Sequence, residues 1–279
     1  MTTVQFAKGH GTGNDFVLIP DLEGRLNLDP TQVVGLCDRR FGLGADGVIR
    51  VVPSSLVGEV PAMSDGAMWF MDYRNGDGSI AEMCGNGARV FAKFLREEKL
   101  VDTREFVIGT RGGPRKVRIE SDGMISIEMG SVLVQEHGSA VVSLDEHTWP
   151  ATPATAPNPH AVAFVASVSE LADIESAEVT PEASFPDGAN IEFVEIVSPT
   201  SIKMEVNERG SGRTMSCGTG ACAAAAVHRE FAHEPLSPVT VMVPGGEVTV
   251  DFRGTETWLS GPAEIVARGE LDESWWAAR

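Results

Sequence analysis

Two kinds of hydrophobic spacing take turns along the chain. Alternating, β-rich runs such as AMWFMDY (67–73), NIEFVEIV (190–197) and SIKMEV (201–206) predict strands. Helical spacing appears in ARVFAKFLREEKL (88–100), where Ala88, Phe91 and Leu95 fall on one face. GACAAAAVHREF (220–231) is small and apolar nearly all round, the pattern of a helix enclosed by sheet. Strand patterns resume after each helix: EFVIGT, KVRIE and MISIEM after the first, VTVMVP, EVTVDF and TWLSGP after the second. Each half therefore reads as many strands around one long helix. The Pro- and Ala-rich TWPATPATAPNPH (148–160) reads as a loop, and the acidic LADIESAEVTPEASFPDG (171–188) as a solvated face.

The two halves share more than a pattern. MCGNGA and SCGTGA place a Cys-Gly-x-Gly at the start of each helix, at Cys84 and Cys217, a shift of 133 residues. In the same register Met71 and Met204 stand 13 residues before their cysteine, and Asn75 and Glu208 nine before. The pairs Gly112-Gly113 and Gly245-Gly246 begin 28 residues after it. Three features in one register point to a diverged duplication.

A chain of 279 residues suits two domains. Its composition, 42% hydrophobic and 22% charged, is that of a globular protein. The net charge of −18 repels nucleic acid and anionic lipid, and no Lys/Arg cluster interrupts it. The N-terminal MTTVQFAKGH lacks the layout of a signal peptide, and no apolar run approaches the ~20 residues that span a bilayer. Four cysteines are too few for a disulfide framework at this size, so the expected compartment is a reducing cytoplasm.

A cysteine ahead of Gly-x-Gly gains from the helix start. Backbone N–H groups there have no partner within the helix, and glycines let a small anion approach them. The positive helix end stabilises a thiolate, lowering the thiol pKa from roughly 8.5 toward 7 or below. Two such ends facing one amino acid would hold its carboxylate and set a sulfur on each side of the α-carbon. One sulfur, as thiolate, removes the α-proton; the other, as thiol, delivers a proton to the opposite face. The pair would titrate jointly, and the N–H groups would stabilise the carbanion's charge. No recognisable pyridoxal phosphate motif is present, so these electrostatics must do most of the lowering of the barrier. Cys37 and Cys222 read instead as small buried hydrophobes. No CxxC supports a zinc site, neither glycine motif ends in the Lys-Ser/Thr of a phosphate loop, and a Cys/His hydrolase would need only one cysteine.

The motifs GTGNDF (11–16), RRFGLGADG (39–47), RNGDGSIAEMCGNGAR (74–89), NPH (158–160), GANIEF (188–193) and ERGSGRTMSCGTGACA (208–223) together resemble the diaminopimelate epimerase family, in order along almost the whole chain. The resemblance implies an α/β (α+β) fold of two similar, pseudo-symmetric domains, each with strands wrapped around a central helix and the active site in the cleft between them. Residues 1–131 with 264–279 would form the N-terminal domain, and 132–263 the C-terminal one. The implied activity is interconversion of LL- and meso-diaminopimelate in lysine and cell-wall precursor synthesis, without cofactor or metal. The implied partners are that small-molecule substrate and a second copy in a homodimer, with no nucleic acid or membrane.

Cys84 and Cys217 match the family's catalytic pair, with His160 and Glu208 supporting them. Gly85, Asn86, Gly218 and Thr219 match residues that hold the reacting carboxylate. Asn14, Asn75, Asn158, Asn190 and Arg209 match residues that contact substrate, and Glu208 stands beside them. Without the resemblance each asparagine would read as a turn residue, and His160 equally as a structural hydrogen-bonder. Two departures stand out. Many relatives carry glutamine at the position of Gly47, and the C-terminal DESWWAAR runs past the usual end, its tryptophans suited to packing or to a subunit contact. The rival readings are a proline or hydroxyproline racemase, which has no use for the residues that read a second amino-acid end, and a non-catalytic amino-acid-binding or thiol redox protein.

Overall fold

The structure, a computed structural model, describes residues 4–58, 65–232 and 238–279. Its packing divides the chain into two units, Met1–Ile127 with Pro262–Arg279, and Glu128–Gly261. The sequence reading set the junctions at 131/132 and 263/264.

The first unit holds β1 (Gln5–Gly11), β2 (Asn14–Pro20), β3 (Gly47–Pro53), β4 (Trp69–Asn75), β5 (Glu105–Gly109), β6 (Arg115–Ile119), the start of β7 (Ile125–Gly130) and β19 (Glu264–Glu270). They pair in the order β19-β1-β2-β3-β4-β5-β6-β7. Only β2–β3 and β4–β5 are parallel, and parallel neighbours need a crossover. Helix α1 (Pro30–Cys37) supplies the first and α2 (Gly85–Glu97) the second. Asp29 starts α1 with a capping box, accepting from Thr31 N and Gln32 N while Gln32 answers its own N–H.

The second unit repeats this series. In chain order it holds β8 (Leu133–Val134), β9 (Ala140–Leu144), β10 (His147–Thr155), β11 (Pro159–Phe164), β12 (Glu178–Thr180), β13 (Asn190–Ser198), β14 (Ser201–Glu208), β15 (Gly212–Arg213), α3 (Gly218–Ala232), β16 (Val239–Val243), β17 (Gly246–Arg253) and β18 (Glu256–Gly261). The order β8-β10-β11-β13-β14-β16-β17-β18 is again parallel only at its third and fifth pairings, β11–β13 and β14–β16. The duplication read from the cysteines is thus a duplication of topology. The strand that follows each repeat in the chain completes the other unit: β8 joins β10, and β19 returns to β1.

Each long helix is wrapped by its own strands. α2 packs on β1, β2, β3, β4 and β19. α3 packs on β8, β10, β11, β13, β14, β16, β17 and β18. Ala221 and Ala223 to Ala225 are fully buried, so strands close on α3 from all sides, as its composition requires. Around α2 the packing residues are larger: Val90, Phe91 and Leu95 are fully buried.

The C-terminal tryptophans serve packing. Short α4 (Glu273–Ala277) places Trp275 and Trp276 against a core of the first unit that includes Val17, Ile19, Val33, Leu36 and Leu271. Trp275 Nε1 donates to Phe41 O at 3.3 Å, and the Arg279 guanidinium lies 4.9 Å from the Trp275 ring centre.

Two readings of the second half need correction. Most of 148–160 is not a loop, because β10 is a nine-residue strand through it. Its prolines sit where the missing N–H does little harm: Pro150 lies one residue before the β11 pairing begins at Ala151, and Pro153 takes part through its carbonyl, which accepts from Gln135 N at 2.9 Å. The acidic stretch is not wholly solvated either, since Ile174 and Phe185 are buried in a core with Ala161, Ile191 and Phe193.

Gly47 has no room for a side chain. A Cβ there would lie 2.5 Å from Arg74 O and 2.6 Å from Tyr73 Cε2, across the β3–β4 pairing of Gly47 with Asn75. Gly47→Ala should therefore lower the unfolding free energy by about 1–3 kcal/mol, the usual cost of overpacking. Chemical denaturation checks this, and an unchanged midpoint would show that β3 can retreat.

Candidate active-site residues at two helix tips

Cys84 is the residue from which α2 starts. Its backbone is extended (φ −138°, ψ 120°), and its carbonyl takes the first helical bond from Ala88 N at 2.8 Å. Its sulfur occupies the place usually filled by a serine or aspartate oxygen, accepting from Gly87 N at 3.4 Å. Cys217 repeats the arrangement at α3. Its carbonyl accepts from Ala221 N at 2.9 Å and its sulfur from Gly220 N at 3.4 Å. Gly85 and Asn86, and likewise Gly218 and Thr219, are the first two residues of their helices, where N–H groups have no helical acceptor.

Around Cys84 the neighbours are amides. Its thiol donates to Asn14 Oδ1 at 3.6 Å, and Asn86 Nδ2 donates to the same oxygen at 3.2 Å. The orientation of Asn14 is fixed from behind, since its Nδ2 donates to Asp46 Oδ2 at 2.7 Å and a carboxylate only accepts. Asp46 also takes Asp15 N and Arg39, while Asp15 takes Arg39 and Lys8. Burial opposes the charge on Asp15, but the bonds from Arg39 and Lys8 prevail and hold its carboxyl near a pKa of about 2. Asn86 is held by Arg89, fully buried, whose Nη2 donates to Asn86 Oδ1 at 2.9 Å and Thr12 Oγ1 at 3.1 Å. Asn75 ends β4, where its Nδ2 donates to Ser79 Oγ at 3.0 Å.

Around Cys217 the neighbours are acids. Glu208, at the end of β14, takes the Thr214 hydroxyl and the Cys217 thiol. Burial pushes the Glu208 carboxyl up. Burial also pushes the Cys217 thiol well above its ordinary range, with the charges of Glu208 and Glu192 adding to it. At this tip the expected lowering by the helix N-terminus is outweighed. The Thr219 hydroxyl lies 3.5 Å from the sulfur.

His160 does not bond Glu208. Its Nδ1 lies 2.7 Å from Glu192 Oε1 and its Nε2 lies 2.9 Å from Asn158 Oδ1. Asn190, at the start of β13, accepts at Oδ1 from Arg209 N at 2.9 Å. The exposed Arg209 side chain runs over Gly188 and donates to Asp187 O at 2.9 Å. Within the first unit the structure thus gathers Cys84, Gly85, Asn86 and Asn14, with Asn75 opposite Gly47 on the neighbouring strands. Within the second it gathers Cys217, Gly218, Thr219, Glu208, His160 and Asn158, with Asn190 and Arg209 joined to each other.

Sequence reasoning missed Glu192, Arg89 and Asp46, although each lies inside a quoted motif. Glu192 carries the clearest signal, a charged residue in the apolar run of GANIEF, two positions after Asn190. Cys37 and Cys222 are buried, and burial pushes the Cys37 thiol up to about 11. Among the described residues no group of three His, Cys, Asp or Glu side chains could hold a metal ion, and no helix is long and apolar enough to cross a membrane.

In fold, the chain is similar to a phenazine biosynthesis protein of the PhzF family from Bacillus anthracis (TM-score 0.69, 15% identity, covering 97% of this chain and 99% of that one). It is equally similar to a hydroxyproline epimerase from Agrobacterium vitis solved with trans-4-hydroxy-L-proline (TM-score 0.69, 13% identity, covering 97% and 91%). In sequence, it is 47% identical to the diaminopimelate epimerase of Streptomyces coelicolor over 98% of this chain and 97% of that one. It is 46% identical to that of Thermobifida fusca over 96% and 98%. The family model described as diaminopimelate epimerase matches residues 6–134 and 154–269. The chain belongs to the diaminopimelate epimerase family.

Proposed function

We propose that this protein epimerises LL-2,6-diaminopimelate to meso-diaminopimelate by 1,1-proton transfer without a cofactor, using Cys84 and Cys217 as a thiolate–thiol pair. The observation that carries the reading is the repeated cap: each repeat starts its buried helix with a cysteine whose sulfur accepts the N–H of the third helical residue. A sulfur so placed stands beside the first-turn N–H groups, which have no acceptor within the helix and are of the kind that binds a carboxylate. Gly85, Asn86, Gly218 and Thr219 would hold the reacting carboxylate, where their N–H groups stabilise the charge that grows as the α-proton leaves. Asn14, Asn75, Asn158, Asn190 and Arg209 would bind the rest of the substrate, the arginine by forking its distal carboxylate. One sulfur takes the α-proton as the other gives one to the opposite face, and the roles exchange for the other stereoisomer.

The neighbours of the two sulfurs differ in what they favour. Asn14 accepts the Cys84 proton with a neutral oxygen, whereas Glu208 accepts the Cys217 proton with a carboxyl group and opposes a thiolate there. Glu208 and His160 support the thiol chemistry in this reading. The family expectation also makes the protein a homodimer of the cytoplasm, acting in lysine and peptidoglycan precursor synthesis; sedimentation equilibrium tests the assembly.

Incubated with LL-diaminopimelate in deuterium oxide, the protein should form the meso isomer with deuterium at the inverted α-carbon. Recovery of unlabelled, uninverted substrate would defeat the epimerase reading. Cys84→Ala and Cys217→Ala should each lower kcat by about 10²–10⁴-fold or more, the worth of one acid–base group, with unchanged circular dichroism. Near wild-type turnover in either variant would rule out the two-base assignment.

The carboxylate at 208 raises the Cys217 pKa, so its removal must lower it and let the thiolate persist to lower pH. In Glu208→Gln, the pH midpoint for alkylation of Cys217 by iodoacetamide, followed by mass spectrometry, should shift downward. A midpoint unmoved or raised would show that Glu208 does not set the thiol.

A further inference from the structure

The duplication supplies an internal control for the second helix tip. Phe16 pairs with Gly47 across β2–β3, and His160 pairs with Asn190 across β11–β13, the same parallel step in each unit. Two residues further along stand Ile49 and Glu192. In the first unit the space beneath the third helical residue is apolar, since a Cβ on Gly87 would lie 3.3 Å from Ile49 Cδ1 and 3.4 Å from the Phe16 ring. Beneath Gly220, the equivalent of Gly87, a Cβ would lie 2.6 Å from Glu192 Oε1 and 3.3 Å from Cys217 Sγ. The fold is therefore built once with Phe/Ile in this place and once with His/Glu. A buried ion pair is commonly no more stabilising than apolar residues of similar volume. The polar version needs a reason other than folding.

Its bonds supply one. Glu192 and His160 are both fully buried, and Glu192 Oε2 has no hydrogen-bond partner, so its carboxyl is committed to His160 through Oε1 alone. His160 meets an oxygen at each ring nitrogen, Glu192 Oε1 and Asn158 Oδ1. An imidazole satisfies two acceptors only when both nitrogens carry a proton. Resting on the epimerase reading above, we propose that Glu192 is a positioning residue: its buried carboxylate keeps His160 as an imidazolium, which grips Asn158 Oδ1 and leaves Asn158 Nδ2 to donate to a carboxylate oxygen of the substrate. With a neutral His160 the amide would turn over, giving its N–H to Nε2 and presenting an oxygen that repels the same carboxylate. The charged groups that act on this pair from neighbouring elements are Glu208 on β14 and Cys217 at the start of α3. Phe16 and Ile49 have no means of holding an amide in one orientation.

Three measurements test this. In protein labelled with 15N-histidine, the ring shifts of His160, assigned by their loss in His160→Phe, should report two protonated nitrogens in the unaltered enzyme; a neutral ring overturns the proposal. Glu192→Gln keeps the Nδ1 bond and loses the charge. It should convert His160 to the neutral form and raise KM for LL-diaminopimelate roughly ten- to hundredfold, the worth of a hydrogen bond to a charged group, with kcat changed much less. An unchanged KM overturns the assignment. The double variant His160→Phe with Glu192→Ile transplants the first unit's pair. It should fold with a cooperative thermal transition and show a KM at least as high as Glu192→Gln. Wild-type KM in the transplant, or failure to fold, overturns the claim that the pair serves substrate rather than stability. Should the unaltered protein fail to place deuterium at the α-carbon, the epimerase reading falls, and the nitrogen spectra still judge the ion pair.

Discussion

The first N–H groups of a helix have no acceptor within it, and that constraint organises both units. An oxygen-bearing cap would answer one of those groups and end the matter. Here the cap is sulfur, larger and a weaker acceptor, at 3.4 Å from the N–H it faces in both units. The thiol still has its own proton to donate, to Asn14 in the first unit and to Glu208 in the second. The glycine third in each helix belongs to the same constraint. At Gly220 any side chain would strike Glu192, and at Gly87 it would press on Phe16 and Ile49.

Two layers of support surround these helix starts. The first is amide orientation: Asp46 makes Asn14 present its oxygen to Cys84, and Arg89 makes Asn86 direct its nitrogen to that oxygen. A buried guanidinium is costly unless its bonds are satisfied, so Arg89 orders Thr12, Asn86 and the carbonyl of Pro262 together. The second layer is electrostatic and is seen at Cys217. Burial and two carboxylates hold Cys217 as a thiol more firmly than the helix start alone would allow.

The sequence showed the repeat, the two helices and the strands around them, because hydrophobic period and glycine position are local properties. It misjudged β10, where proline content argued for a loop and pairing overrode it at Pro150 and Pro153. Asn14 and Asn86 were legible only through resemblance, since an asparagine reads as a turn residue until its partners are known. Glu192 was illegible for a deeper reason. Its importance lies in burial against Gly220 and His160, contacts 28 and 32 residues away in the chain, and no periodicity reports them. The expected fall in the Cys217 pKa failed on the same ground, since the helix start is visible in sequence but the acids that oppose it are not.

Duplication gives a fold two equal helix starts, and here the two have become unequal. The inequality is confined to side chains while the strand order stays common to both units. Asn75 is matched by Glu208, Phe16 by His160, Ile49 by Glu192 and Gly47 by Asn190. Every one of these exchanges makes the second tip more polar or more acidic. The backbone can carry such divergence because the strands, not these side chains, define the enclosure of each helix. Side chains at these positions can therefore differ between the units while the strand order stays the same.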